Sequence, residues 1–522
     1  MDRLKKFFAN GILMTVVTLI LRYVSVNFNI YISNKIGAVS MGIFTLVSSV
    51  YGFSLTLATS GINLATTKLV SEALGISSKK KDYSTGATVK AIMKKSVLFS
   101  LSVSFVTAII LFLSADFIGV QILKDERTVS SLQILAFSLP AIAISSSLSG
   151  YFTALRRVYK NAFVYMLSQG LRIYLCVMLL SSTVAKDMES ACIAIVVGIT
   201  ASEIISFSVH AVLYLLDQRK AQLHSKAAFP DKKLPKKLIP ITLPVAFSAY
   251  MRSALITIEH LLIPSGLEKS GVSRDISLAA YGTVHSVVFP LVLFPSAISS
   301  SFAGLLVPEI SESDAAKDTA RIERIISRVL KTVLVYSIGT AAVMMCLSGE
   351  LGAVLFPASD SAKYITLISP LIPVMYLDTS VDSILKGLGY QFYTMIINIA
   401  DASLSVILVW LLLPKLGITG YIITVYFTEI VNAALSITKL LIVTKTKVRI
   451  FDWIVKPIAS AIISTLTLRF IIDNIINLSL NGFILFIYIV VIAICYISLL
   501  IFLKVLSVKS IARSVKNFLK AE

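Results

Sequence analysis

The sequence predicts an all-α polytopic membrane protein with about fourteen transmembrane helices, grouped as two six-helix lobes and a further C-terminal pair. Three observations predict it. Of the 522 residues, 56% are apolar and only 15% charged, and mean hydropathy is +0.86, more than a soluble fold can hide from water. The apolar residues fall in runs near the roughly 20 residues that cross a bilayer core as a helix. The Lys and Arg residues fall between those runs with a strong bias to alternate connections.

The first element starts at Arg3, Lys5 and Lys6, ahead of an apolar run from Phe7 to about Ile32. A secretory signal has an apolar region of roughly 7–15 residues and a small-residue cleavage site. This run is longer and has no such site, so it reads as a first span with a cytoplasmic N-terminus. The apolar runs then place spans near 10–33, 40–66, 96–114, 129–155, 161–182, 190–216, 239–263, 278–308, 325–348, 364–386, 393–413, 418–440, 454–472 and 482–503. The last is the clearest, with no charged residue from Gly482 to Leu503. The eighth is over-long and carries Pro290, Pro295 and Pro308, which predicts a kink or tilt.

With the N-terminus inside, 36 of the 48 Lys and Arg residues fall on cytoplasmic segments and 9 on outer loops. That asymmetry supports an even number of spans with both termini in the cytoplasm. The net charge of +20 thus orients the chain and meets anionic membrane lipids rather than nucleic acid. The longest basic loop, from Asp217 to Lys237, has six spans on each side. The expected division is an N-lobe over 1–216, a basic cytoplasmic linker over 217–238, a C-lobe over 239–445, and over 446–522 the last two spans with a basic tail. No close sequence repeat relates the halves.

Charge inside a membrane is expensive, so the nine charged residues that remain once those near span ends are assigned to the loops are informative: Arg22, Arg172, Arg252, Glu203, Glu259, Asp378, Asp382, Asp401 and Glu429. In span one, Thr18, Arg22, Ser25 and Asn29 share a helix face; in span two, Thr45, Ser49, Gly52, Thr56, Thr59, Asn63 and Thr66 form one polar stripe. Such a stripe faces either a neighbouring helix or a water-filled cavity. Span five adds Gln169 and Arg172, and span seven adds Ser248, Arg252 and Glu259, where an Arg252–Glu259 salt bridge is the simpler alternative to ligand binding. The second half is acidic. Asp378 and Asp382 share a face of span ten with Lys386 beyond them, Asn398, Asp401 and Ser405 a face of span eleven, and Glu429, Asn432 and Ser436 a face of span twelve. Carboxylates among amides and hydroxyls suit a sodium or proton site; a purely structural network, with Asp382 pairing Lys386, is the other reading. His210, His260 and His285 are scattered singly and read as core or interfacial residues.

Cys176, Cys192, Cys346 and Cys495 lie in apolar runs without CxxC spacing, which suggests neither disulfide nor zinc. There is no GxxxxGK[ST], GxSxG or HExxH motif. No catalytic residues, metal site or cofactor are expected, beyond a monovalent cation that drives transport. The chain does not read as an enzyme.

Tyr51 to Glu72 (YGFSLTLATSGINLATTKLVSE), Gly150 to Arg157 (GYFTALRR), Tyr281 to Ser313, Pro370 to Tyr390 (PLIPVMYLDTSVDSILKGLGY) and Gly417 to Asn432 (GITGYIITVYFTEIVN) resemble the stage V sporulation protein B group of polysaccharide exporters. That group belongs to the multidrug, oligosaccharidyl-lipid and polysaccharide exporter superfamily, with the lipid II flippases and the MATE transporters. The resemblance implies two lobes related by pseudo-twofold symmetry, alternating access and two extra C-terminal helices. It also implies arginines in a central cavity, which Arg22 and Arg252 match by span, and a sodium site for which Asn398, Asp401 and Thr428 are candidates. The family block usually reads Gly-Ile-Pro where this chain has Gly61, Ile62 and Asn63, so the proline that would kink the helix is absent.

The expected function is a flippase in the bacterial plasma membrane, moving an undecaprenyl-pyrophosphate-linked oligosaccharide or a lipid II-like peptidoglycan precursor, in vegetative growth or sporulation. Arg22, Arg172 and Arg252, with Gln169, Asn29, Asn63 and Glu259, would bind the head group. Asn398, Asp401, Thr428, Glu429, Asp378 and Asp382 would couple transport to a sodium or proton gradient. The alternatives are a cation-coupled multidrug antiporter, which would want acids in the N-lobe, and a non-transporting scaffold with cell-wall synthases as partners.

Overall fold

The computed structural model describes residues 2–77, 85–181, 188–222, 234–299, 310–311, 313–314, 317–357, 360–475 and 481–506, and among them every regular element is helical. Thirteen helices among the described residues are long and apolar enough to cross a membrane, so the chain is a multi-pass membrane protein. Twelve correspond to expected spans three to fourteen. The first, Ile20–Leu74, carries spans one and two together. A straight helix of its 55 residues would reach about 80 Å, well over twice the roughly 30 Å core. It breaks at Gly37 (φ 79°, ψ 168°), backbone that a side chain would strain. It turns again at Gly61 (φ 77°), so the chain bends at this block without the family's proline.

The described chain divides into two compact units, residues 1–28, 39–268 and 273–282, and residues 29–38, 269–272 and 283–522. The expected lobe boundary at 217–238 is therefore not where the units part. The seventh span, Leu238–Lys269, lies up to Glu268 with the first unit, and hydroxyl chemistry explains why. Tyr250 Oη donates to the Leu57 carbonyl at 3.1 Å, Ser253 Oγ to Thr56 Oγ1 at 3.1 Å and Thr257 Oγ1 to the Ser49 carbonyl at 3.3 Å. Apolar association gives helices no preference among neighbours in lipid, so hydrogen bonds and close packing decide.

Side-chain bonds to other helices engage Thr56, Asn63 and Thr66 of the polar stripe on span two, while Thr45 and Thr59 bond back to their own helix at Met41 and Leu55. Thr66 bonds Ser96, Ser96 Oγ donates to Ser147 Oγ at 3.3 Å, and Ser100 and Ser147 share a 2.5 Å bond. All four side chains are fully buried. This hydroxyl chain ties spans two, three and four beneath a core of Leu69, Ile92, Met93, Phe152 and Leu238. Backbones approach closely where side chains are absent: a Cβ on Gly42 would lie 2.1 Å from the Leu278 carbonyl oxygen.

In the second unit, Ile326 and Leu330 of span nine, Val381, Ile384 and Leu385 of span ten, Leu440 and Trp453 form the core. The last two spans join it through span nine. Tyr496 Oη donates to the Val335 carbonyl at 2.8 Å, and its ring lies over Gly339, where a Cβ would sit 2.6 Å from the ring edge. The eighth span begins as Arg274–Gly282, widens to a π-helical turn over Thr283–Val288 and resumes at Phe289–Leu293. The distortion precedes Pro290, which cannot donate a main-chain hydrogen bond and sits in the first turn of the resumed helix. Pro308 lies outside the described residues.

Spans four and ten end in the same kind of left-handed turn. Span four ends with Arg156 N–H bonded to the Thr153 carbonyl and Arg157 N–H to the Phe152 carbonyl, Arg156 being left-handed at φ 58°. Span ten ends with Gly389 N–H bonded to the Lys386 carbonyl and Tyr390 N–H to the Leu385 carbonyl, Gly389 at φ 83°. Both are left-handed helix terminations of one pattern.

Candidate substrate and ion sites

Span five (Val158–Ser181) and span six (Met188–Gln222) place Arg172 against Glu203. The guanidinium Nη2 donates to Glu203 Oε1, and the two side chains retain 30% and 17% exposure. Arg172 Nε is buried with no hydrogen-bond partner among the described residues. One turn earlier, Gln169 Nε2 donates to Ser25 Oγ of span one at 3.1 Å. The Tyr51 hydroxyl, bonded to Ser138 Oγ at 2.6 Å, lies close enough to feel both charges of the ion pair. Arg22 is half-buried in the same unit.

Arg252 is exposed and makes no ion pair among the described residues, so the Arg252–Glu259 bridge left open by the sequence does not form. Glu259 is half-buried seven residues on. Asn63 Nδ2 donates to the Ser146 carbonyl at 3.3 Å, joining spans two and four. Asn29, half-buried, falls in the second unit although Arg22 and Ser25 fall in the first. Of the residues expected around a head group, the described bonds link Gln169 to span one and Arg172 to span six. They link neither Asn63 nor Arg252 to these.

The second unit collects the carboxylates. Asp382 Oδ2 accepts from Asn398 Nδ2 at 3.1 Å and lies 3.6 Å from Lys386 Nζ, a loose contact to a lysine that is 49% exposed. Asp378 is buried; its Oδ2 accepts from Asn432 Nδ2 at 3.4 Å, and its Oδ1 has no partner among the described residues. Asp382 and Asp401 act electrostatically on Asp378, and Asp378 and Asp401 on Glu429. These acids of spans ten, eleven and twelve are thus coupled through their charges; helical spacing alone implies only which of them share a face of one helix. Thr428 is buried and bonds back to the Val425 carbonyl at 3.4 Å. Among the described residues, no three His, Cys, Asp or Glu side chains are placed to hold a metal ion together.

Several polar contacts escaped the sequence reading. Asp217, buried near the end of span six, accepts from Arg157, from Lys160 Nζ at 2.8 Å and from Tyr151 Oη at 3.2 Å. Arg157, Lys160 and Tyr151 sit in or beside the GYFTALRR block, but nothing in the spacing names a partner about sixty residues away. Two histidines anchor to tyrosines: His260 Nδ1 with Tyr281 Oη at 2.6 Å, and His285 Nε2 with Tyr421 Oη at 2.8 Å. Arg469 pairs with Glu350 at 2.6 Å. It borders a 740 Å³ cavity whose lining, including Leu334, Ile338, Met345, Leu377 and Ile458, is otherwise almost wholly apolar.

The chain is 24% identical over 424 residues to stage V sporulation protein B of Bacillus subtilis (strain 168), which covers 80% of both proteins. It is 24% identical over 433 residues to the lipid II flippase MurJ of the same organism, covering 77% of this chain and 76% of the flippase. Among solved structures, a lipid II flippase MurJ in an inward closed conformation superposes with a TM-score of 0.69 at 13% identity, covering 94% of this chain and 98% of that one. The MatE family matches residues 270–411, and these likenesses make the chain a relative of the flippases of this exporter superfamily. The family described as polysaccharide biosynthesis protein matches residues 7–314, more than half of the sequence, and the chain belongs to it.

Proposed function

We propose that the protein is a flippase that carries an undecaprenyl-pyrophosphate-linked oligosaccharide or peptidoglycan precursor across the bacterial plasma membrane by alternating access. The observation that carries this reading is the sign of the charge left inside the spans. Arg22, Arg172 and Arg252 come from spans one, five and seven, where guanidinium forks suit phosphate oxygens, and the acids cluster in spans ten to twelve. Membership of a polysaccharide biosynthesis family and likeness to a lipid II flippase support it. In this reading both termini and the 217–238 loop face the cytoplasm.

A sodium ion or proton exchanges among Asp378, Asp382, Asn398, Asp401, Thr428 and Glu429, favouring one facing state over the other. One elementary charge moved through 100 mV contributes about 2.3 kcal/mol, enough to bias two states of similar energy. The deciding experiment is reconstitution in proteoliposomes with labelled lipid-linked sugar and imposed sodium, proton or potential gradients. Gradient-dependent appearance of the sugar in the opposite leaflet supports the reading, and its absence with active control flippase refutes it. The MatE match over residues 270–411 covers part of the acidic half and favours, as a second reading, cation-coupled drug export. Gradient-driven transport of a cationic dye in the same vesicles separates the two.

A further inference from the structure

The Arg172–Glu203 pair is built in a way that a purely structural bridge does not need. A guanidinium offers five N–H donors in a fixed fork. Here one nitrogen is engaged by Glu203 and the buried Nε has no partner among the described residues. Such a half-satisfied group inside a spanning unit is costly, and an ion pair retained for stability alone is weak evidence of stabilisation when an apolar pair would serve. Nε is buried, but the two side chains as wholes keep 30% and 17% exposure, so the pair is not sealed from a ligand. Gln169, one turn before Arg172, is held by Ser25 at 3.1 Å, and the Tyr51 hydroxyl, bonded to Ser138 at 2.6 Å, feels both charges. Among the described residues, Arg172 is the basic group in contact with Glu203.

We propose that Glu203 is a built-in counter-ion that Arg172 surrenders when the pyrophosphate group of a ligand arrives, the open guanidinium donors receiving the phosphate oxygens. This inference rests on the flippase reading and adds to it a residue that sets affinity. A transported anion must bind firmly enough to enter and weakly enough to leave. A carboxylate already on the arginine does this by competition: the ligand gains only the difference between its own contacts and those of Glu203. The bound anion and the displaced carboxylate then repel each other, which favours release and return of the pair.

The test uses the full-length protein in nanodiscs of zwitterionic lipid, titrated with inorganic pyrophosphate. Glu203→Gln keeps the shape but removes the competing charge, and should bind pyrophosphate about tenfold more tightly than the parent, as expected for loss of one charge-assisted contact of about 1.4 kcal/mol. Arg172→Gln should bind at least tenfold more weakly, and adding Glu203→Gln to Arg172→Gln should change nothing further. Glu203→Asp, which shortens the carboxylate and loosens the contact, should also tighten binding, and serves if the glutamine variant does not assemble. If pyrophosphate affinity is the same in parent, Glu203→Gln and Glu203→Asp, or if Glu203→Gln acts equally without Arg172, the exchange is refuted. Flipping of lipid-linked sugar by the parent in that case leaves the flippase reading standing alone. No flipping, together with Glu203-dependent pyrophosphate affinity, refutes the flippase reading and keeps the exchange.

Discussion

Replacing Gly42 by alanine should destabilise the protein far more than replacing Gly52, ten residues along the same helix. At Gly42 the new Cβ would lie 2.1 Å from the Leu278 carbonyl oxygen, 2.7 Å from its carbon and 3.1 Å from its Cα. An ordinary contact starts near 3.4 Å, so the helices must part by more than 1 Å. The atoms in the way are backbone, which cannot swing aside as a side chain would. Opening a packed contact by 0.5–1 Å already forfeits about a quarter to a half of its dispersion energy, and overpacking costs about 1–3 kcal/mol and sometimes more. We expect about 3 kcal/mol here. A Cβ at Gly52 meets nothing within 4 Å, and Gly→Ala inside a helix gains about 0.5–1 kcal/mol. The two variants should therefore differ by about 4 kcal/mol. Heating each detergent-purified variant and measuring the surviving monodisperse fraction by size-exclusion chromatography gives the inactivation midpoints. Gly42→Ala should fall well below the parent and Gly52→Ala should match or exceed it. Equal midpoints would show that the close approach at Leu278 contributes nothing to stability.

Further outcomes follow from the same structure. Asp217→Asn should cost about 3–5 kcal/mol, because a buried carboxylate leaves behind Arg157, Lys160 and Tyr151; Arg157→Gln, at a side chain 45% exposed, should cost about 1 kcal/mol or less, both read by the heating assay. Arg156→Gly should stabilise by about 0.5–1 kcal/mol by relieving a left-handed residue, and Gly389→Ala should destabilise by about 1–2 kcal/mol at the matching turn. Asp401→Asn or Glu429→Gln should remove the gradient dependence of transport in proteoliposomes; transport with the parent's dependence would make these acids structural. Single cysteines placed in the 217–238 loop should resist an impermeant maleimide added outside intact cells, and rapid labelling would invert the proposed orientation.

The spans were legible because crossing a bilayer demands about twenty apolar residues, a signal that survives any ambiguity of detail. Which polar residues share a helix face was legible too, since Asp378 and Asp382, or Asn398 and Asp401, are brought to one face by helical spacing alone. What the sequence leaves open is the choice of partner. A hydroxyl on a helix can bond a neighbour or its own preceding carbonyl: Thr56 does both, Thr59 bonds only back to Leu55 among its described contacts, and Thr66 reaches across to Ser96. Arg172 and Glu203 lie 31 residues apart, beyond any local pattern. The distortion of span eight was expected from its prolines, yet the widened turn begins at Thr283, before the first of them. Nor does span counting say which spans pack together. Span counting assigned span seven to the second half, while the hydroxyls of Ser253 and Thr257 assign it to the first unit.

The interleaving of the two units bears on how the gene can be dissected. The chain passes from one unit to the other five times, at residues 28–29, 38–39, 268–269, 272–273 and 282–283. A cut in the basic loop, the natural place to split expression into two halves, respects none of these points. The first fragment would carry residues 29–38, whose Asn34 Nδ2 donates to the Leu355 carbonyl at 2.9 Å, away from the unit that holds Leu355. The second would carry Ser253 and Thr257 away from Thr56 and Ser49. Each half would enter the membrane with bonding groups addressed to the other, so co-expressed halves have a physical reason to find each other, and neither half alone encodes a finished folding unit.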